Sequence, residues 1–124
     1  MKISTQNAPA AIGPYSQAIE KNGTLYTSGQ IAIVPAEGRL AEGGIEAQTL
    51  QVMKNLGEIL KAAGYTFDDV VKTTCLLADI NDFGKFNEIY ATFFGTDAPP
   101  ARSTFAVRDL PKGALVEVDA IAVK

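Results

Sequence analysis

The sequence predicts an α/β (α+β) fold in which two helices cover one face of a sheet of five or six strands. Three observations carry this expectation. Apolar residues recur at steps of three and four over two separate stretches. Runs rich in β-branched residues precede, separate and follow those stretches. Glycines and prolines mark the junctions between them. With 124 residues, 47% of them apolar, the chain has the length of one domain and the means to fill a core. No repeat, low-complexity tract or linker divides it, so residues 1–124 are expected to form a single domain.

Residues 1–16 read as irregular, punctuated by Asn7-Ala8-Pro9 and Gly13-Pro14. Ala18-Ile19-Glu20 runs into Lys21-Asn22-Gly23, a hairpin signal, and Thr24 to Ser28 returns as a strand. After Gly29-Gln30 comes a third short apolar run, Ile31 to Val34, and then a polar, Gly-rich loop from Pro35 to Gly44. The period then changes. Ile45, Thr49, Val52, Met53, Leu56, Ile59, Leu60 and Ala63 fall on one face of a helix that Gly64 is placed to stop. Val70 to Leu77 is a β-branched run typical of a strand. Asn81 or Asp82 can cap a second helix with Phe83, Phe86, Ile89, Tyr90 and Phe93 on its stripe, ended by Gly95. Strands at about 101–107 and 115–123 complete the order β-β-β-α-β-α-β-β.

Two helices cover one face, yet neither face of the Val70–Leu77 strand is polar enough for bulk water. In the last strand Val116, Val118, Ala120 and Ala122 alternate with Leu115, Glu117, Asp119, Ile121 and Val123, with the same consequence. An apolar second face predicts burial against another subunit, so an oligomer is expected, with sites at subunit junctions.

Composition narrows the chemistry. The net charge is −3 and the eleven basic residues are scattered, which argues against a nucleic-acid surface. There is no histidine, so Ser–His and Cys–His dyads and the usual zinc ligand sets are excluded. The single cysteine, Cys75, permits no intrachain disulfide and sits mid-strand as an inert core thiol. No apolar stretch approaches the ~20 residues that span a bilayer, and the first residues carry no apolar signal region. A cytoplasmic setting is expected. No spacing of carboxylates suggests a metal site.

Arg102 is the most informative residue. Pro99 and Pro100 hold the approach extended, and a permanent charge is then followed by Thr104, Phe105 and Val107. Such a charge needs a partner. Arg102 and Thr104 share one face of their strand, and Glu117 lies on the next strand in sequence. If those strands pair, Arg102 or Thr104 can approach Glu117. Two readings stay open: a structural Arg–Glu ion pair at an interface, or a guanidinium that clamps a small carboxylic acid while Glu117 handles a proton or a water. Tyr15, after the rigid Gly13-Pro14 turn, is either packing or the wall of a site. Ser28-Gly29-Gln30 is either a bulge or a place where backbone approaches a ligand closely. Asn87 and Glu88 are expected to face solvent or a neighbouring subunit.

Taken together, the segments Asn7-Ala8-Pro9, Gly13-Pro14-Tyr15-Ser16-Gln17-Ala18 and Ser28-Gly29-Gln30-Ile31 resemble the reactive intermediate deaminase (RidA/YjgF, endoribonuclease L-PSP) family. Gln48, Asn55, Ala63-Gly64, Asp69-Val70-Val71-Lys72 and Asn87 continue the match. Pro100-Ala101-Arg102-Ser103, Leu110-Pro111 and Val116 to Ala122 complete it across nearly the whole chain. The resemblance implies a chorismate-mutase-like fold with one mixed sheet, assembled as a homotrimer with clefts between subunits. It implies hydrolytic deamination of enamines and imines such as 2-aminoacrylate, without a cofactor or metal. Carried over residue by residue, Arg102 would clamp the carboxylate of a small-molecule substrate and Glu117 would position or activate water. Tyr15 would line the cleft, with Ser28, Gly29 and Thr104 adding polar and backbone contacts. Thr104 stands where some members have cysteine. The alternatives are a non-catalytic module binding a 2-ketoacid, an endoribonuclease and a translation inhibitor.

Overall fold

The fold, seen in a computed structural model describing residues 1–124, is a mixed α+β arrangement: a six-stranded sheet with two helices on one face. The strands are β1 (Lys2–Ile3), β2 (Ala18–Lys21), β3 (Thr24–Thr27), β4 (Ile33–Val34), β5 (Arg39–Leu40), β6 (Val70–Leu77), β7 (Ala101–Ala106) and β8 (Val116–Val123). Helix α1 spans Gly44–Ala62 and α2 spans Phe83–Phe94. The main sheet has the order β1-β2-β3-β8-β6-β7, with β6 and β7 parallel and every other pair antiparallel. Helix α2 is the crossover that the parallel pair requires.

Several elements follow from their residues as expected. Asn22 and Gly23 take φ of 52° and 79°, the left-handed pair that a two-residue hairpin between β2 and β3 needs. At the end of α1 the chain turns left-handed at Gly64, and Tyr65 donates to the Leu60 carbonyl at 2.9 Å, closing the last turn. Val52, Met53, Leu56, Ile59 and Leu60 of α1 are buried on the sheet beside Phe86 and Tyr90 of α2. From the sheet, Leu25, Cys75, Leu77, Val116, Val118, Ala120 and Ala122 complete the same cluster. Each fully buried aliphatic side chain contributes about 1.5–3 kcal/mol.

Three expectations are corrected. The apolar run Ile31 to Val34 does not join the main sheet. Its last two residues pair with β5 in a small hairpin inside the segment read as loop, and β1, at the far edge, takes the sixth place. Two-residue strands carry too little alternation to be read from sequence. Second, Asp82 precedes α2 without a side-chain cap; Asp79 caps the preceding turn by accepting from the Asn81 amide at 2.9 Å. Third, β7 and β8 do not pair, because β6 lies between them.

The uncovered face is as apolar as its sequence implied. Ile19, Tyr26, Val71 and Phe105 are exposed large hydrophobic side chains. A register irregularity between Val70 and Lys72 turns Val70 into the core and leaves Val71 outside. No helix is long and apolar enough to cross a membrane.

Candidate active site

Arg102 and Glu117 lie on opposite faces of the sheet. In register, Arg102 is level with Thr73 and Ala120, whereas Glu117 is level with Leu76 and Phe105. Thr73 and Ala120 belong to the helix-covered face, and the period of two puts Glu117 on the other. The Arg102–Glu117 approach expected from pairing of the last two strands therefore does not occur within one protomer.

Arg102 is nonetheless firmly placed. Its Nη1 donates to Asn87 Oδ1 at 2.7 Å. Its guanidinium carbon lies 4.8 Å from the centre of the Tyr90 ring and 5.2 Å from that of Phe83, each within cation–π range. Tyr90 is itself fixed by a 2.8 Å hydrogen bond between its hydroxyl and that of the buried Thr73. No carboxylate of the chain pairs with Arg102; the ion pairs present are Arg39–Glu37 and Arg108–Asp109. An arginine aimed by an amide and two rings, with no counter-ion, is equipped to receive an external carboxylate. It borders a groove of about 470 Å³ with Asn87, Tyr90 and Pro99. Asn87, expected to face solvent or a neighbouring subunit, instead holds Arg102, a role that sequence reasoning missed. Its spacing in α2, one turn after Phe83 and three residues before Tyr90, puts the three on one helix face, and that was the available signal.

Glu117 lines a different cavity, of about 340 Å³, together with Tyr15, Gly29, Ile12, Ile31 and Lys112. The local backbone explains how it fits there. Strand β3 pairs with β8 as far as Tyr26–Ile121, and Gln30 rejoins β8 opposite Val118. Four steps on one strand thus face three on the other, which is a bulge. The Ala120 amide, left without its ladder partner, donates instead to Thr27 Oγ1 at 3.0 Å. The bulge lays Gly29 against Glu117. A Cβ built on Gly29 would overlap the carboxylate, with Cδ only 2.8 Å away. Of the two readings of Ser28-Gly29-Gln30 the bulge holds, and the close approach that its glycine allows is to the Glu117 side chain. Burial, reinforced by the neighbouring Asp119 charge, raises the Glu117 carboxyl above the ordinary carboxylate range.

The remaining candidates divide. Tyr15 is half exposed at the rim of the Glu117 cavity, its hydroxyl accepting from the Ile12 amide at 3.4 Å. Ser28 spends its hydroxyl on the Ser16 carbonyl at 2.6 Å. Thr104 shares the Arg102 face but lines no cavity, and its Oγ1 is buried without a hydrogen-bond partner. Cys75 is fully buried, and burial pushes its thiol up to about 11, so it is an inert core thiol. No three acidic or cysteine side chains converge to hold a metal.

Comparison with known proteins identifies the family. Residues 5–124 match the family described as Endoribonuclease L-PSP. A mouse protein named 2-iminobutanoate/2-iminopropanoate deaminase is 57% identical over 122 residues, covering 98% of this chain and 90% of the relative. The crystal structure of the Rid-family protein YyfA from Yersinia pestis superposes with a TM-score of 0.97 at 54% identity, covering 100% of this chain and 98% of that one. That of E. coli TdcF with bound serine gives 0.94 at 38% identity, with the same coverage. The chain belongs to the Endoribonuclease L-PSP family, which the RidA/YjgF motifs of its sequence had indicated.

Proposed function

We propose that this protein hydrolyses reactive enamines and imines such as 2-aminoacrylate, releasing a 2-ketoacid and ammonia, at a site shared between subunits of a homotrimer. One observation carries the reading: Arg102 is oriented by Asn87, Tyr90 and Phe83 yet has no carboxylate partner in its own chain. The mouse relative's name gives the reaction, and TdcF with bound serine shows that a relative holds a small α-carboxylate.

The chemistry asks little of the protein. An enamine tautomerises to an imine whose carbon is already electrophilic. Water adds to that carbon, and the tetrahedral adduct collapses to a ketone as ammonia leaves. What remains is to fix the carboxylate, orient the water and move a proton from oxygen to nitrogen. Arg102 fixes the carboxylate. Glu117, with its raised proton affinity, takes the proton from the attacking water and returns it to the leaving amine. Tyr15 lines the cleft, while the Ser28–Gly29 backbone presses the Glu117 carboxylate towards the substrate. Thr104, on the Arg102 face beside Cys75, shapes the carboxylate end of the site without lining a cavity of one protomer.

The two halves lie on opposite faces of one sheet, so one copy does not bring them together. A second copy, covering the face that exposes Ile19, Tyr26 and Phe105, supplies the missing half at its edge strand β7. Against ribonuclease activity stand the −3 charge and the absence of any histidine to act as acid or base.

The test is pyruvate release when a serine dehydratase generates 2-aminoacrylate with and without this protein. Acceleration by the wild type and none by Arg102→Ala supports the reading. Acceleration by neither turns it into a binding module, and acceleration by both removes Arg102 from the site.

A further inference from the structure

One wall of the Glu117 cavity is chain without regular structure. Pro9, Ala10, Ile12 and Tyr15 form it, between β1 and β2. Behind the same wall lies a second cavity, of about 470 Å³, which Ala10, Tyr15 and Gln17 also border. A wall with open space on both sides has little apolar packing to hold it: of residues 5–15 only Ala8, 2% exposed, joins the hydrophobic core. Backbone bonding does not hold it either, since no backbone–backbone hydrogen bond reaches any residue from Ser4 to Ile12.

What does reach it is the side chain of Gln17, which is 4% exposed. Its Oε1 accepts from the Thr5 amide at 2.7 Å. Its Nε2 donates to the Pro9 carbonyl at 2.7 Å and the Thr5 carbonyl at 3.0 Å, with the Ala8 carbonyl at 3.4 Å. The backbone of the same residue is tied to the opposite wall: its carbonyl accepts from the Ser28 amide at 2.9 Å, beside Gly29. Gln17 thus joins the floor that carries Gly29 and Glu117 to the wall that carries Ile12 and Tyr15. A primary amide offers an acceptor oxygen and two N–H donors on separate atoms at every ordinary pH, which a hydroxyl or a carboxylate does not.

We propose that Gln17 is the positioning residue of this cavity: its side-chain amide, rather than packing, sets the 5–15 segment and Tyr15 over Glu117. The kinetic consequence rests on the deaminase reading above; the structural consequence does not.

Gln17→Met keeps length and volume and removes every side-chain hydrogen bond while leaving the backbone bond to Ser28. Gln17→Glu keeps the acceptor and, while ionised, loses the donor. Amide hydrogen exchange is followed in both, together with KM and kcat for imine hydrolysis. In Gln17→Met, the hydrogen-bonded amides of 4–15, those of Thr5, Asn7, Ile12 and Tyr15, should exchange ~10-fold faster or more while those of β6 and β8 keep their wild-type rates. KM should rise ~10-fold with kcat changed less than ~3-fold, because the wall contacts substrate and transition state alike. Gln17→Glu should match Gln17→Met at pH 8 and move towards wild type near pH 5, where a protonated carboxyl donates again, with rates taken relative to wild type at each pH. Unchanged exchange in 4–15 in either variant overturns the proposal, as does a uniform rise across the sheet. A Gln17→Met chain that does not fold leaves the pH reversal of Gln17→Glu to decide. If the wild type shows no deaminase activity, the functional reading fails alone and the exchange data still decide the role of Gln17.

Discussion

The Arg102 side of the sheet and the Glu117 side both hold a charge where water is scarce, and they do it by different means. Arg102 projects from a regular strand onto a regular helix. Asn87, Tyr90 and Phe83 are placed by the period of α2, and Thr73 from the next strand fixes Tyr90. Glu117 also starts from a regular strand, but its surroundings are a bulge, a glycine and an irregular segment fastened by one buried amide. The first region is built from periodic structure and resists small changes. The second depends on individual atoms, so single-atom changes should disturb it most.

The largest effect expected is on the Arg102 side. Removing the guanidinium in Arg102→Ala should lower kcat/KM at least ~100-fold, and Arg102→Lys should recover only part of that, since a point charge lacks the planar fork. Steady-state kinetics on 2-aminoacrylate generated in the assay measures both. Next comes Gly29→Ala, which adds one carbon. That carbon would overlap the Glu117 carboxylate, so kcat should fall ~10- to 100-fold while thermal stability changes little. A Gly29→Ala protein with wild-type kcat would mean that the position of Glu117 is not critical. Asn87→Ala should raise KM ~10-fold by releasing Arg102 Nη1, the ordinary worth of a hydrogen bond to a charged group.

The smallest effect expected is on stability. The Glu117 carboxyl is raised above its unfolded value, so the folded state binds that proton more tightly. Ionising it costs stability at pH values above its folded pKa, and the cost disappears as pH falls through that value towards the unfolded one. Glu117→Gln should therefore be the more stable protein at pH 7–8, by less than about 1 kcal/mol because the group is half exposed, and the gap should close near pH 4. Thermal melts across that range measure it. A gap that widens as pH falls would contradict the assigned sign.

Periodicity explains what was legible in the sequence. The stripe of α1 from Ile45 to Leu60, the Phe86–Tyr90 face of α2 and the alternation of β8 each repeat often enough to be read, as does the Asn22-Gly23 hairpin. Strand order was not legible. Consecutive strands pair in most folds, and nothing local in β7 or β8 announces that β6 lies between them. The site depended on it: the approach of Arg102 to Glu117 was conditional on pairing of the last two strands, and β6 between them puts the two residues on opposite faces. The candidate residues were legible mainly through their ordered resemblance to a family. Asn87 and Gln17, whose work is done through hydrogen bonds to other residues, give no composition or charge signal. Gln17 appeared only as part of a motif, and its contacts with Thr5 and Pro9 depend on how an irregular segment folds back.

The central claim is that the Arg102 half and the Glu117 half of the proposed site come from different copies of the chain. Subunit mixing tests it most directly. Arg102→Ala and Glu117→Gln, each inactive alone, are unfolded together in equal amounts and refolded. If the site spans a junction, random assembly gives a wild-type Arg102 facing a wild-type Glu117 at one junction in four, and activity should return to about a quarter of the wild-type value. A mixture as inactive as its two parents, from a sample shown to contain mixed oligomers, would contradict the claim and mean that Arg102 and Glu117 do not serve one shared site.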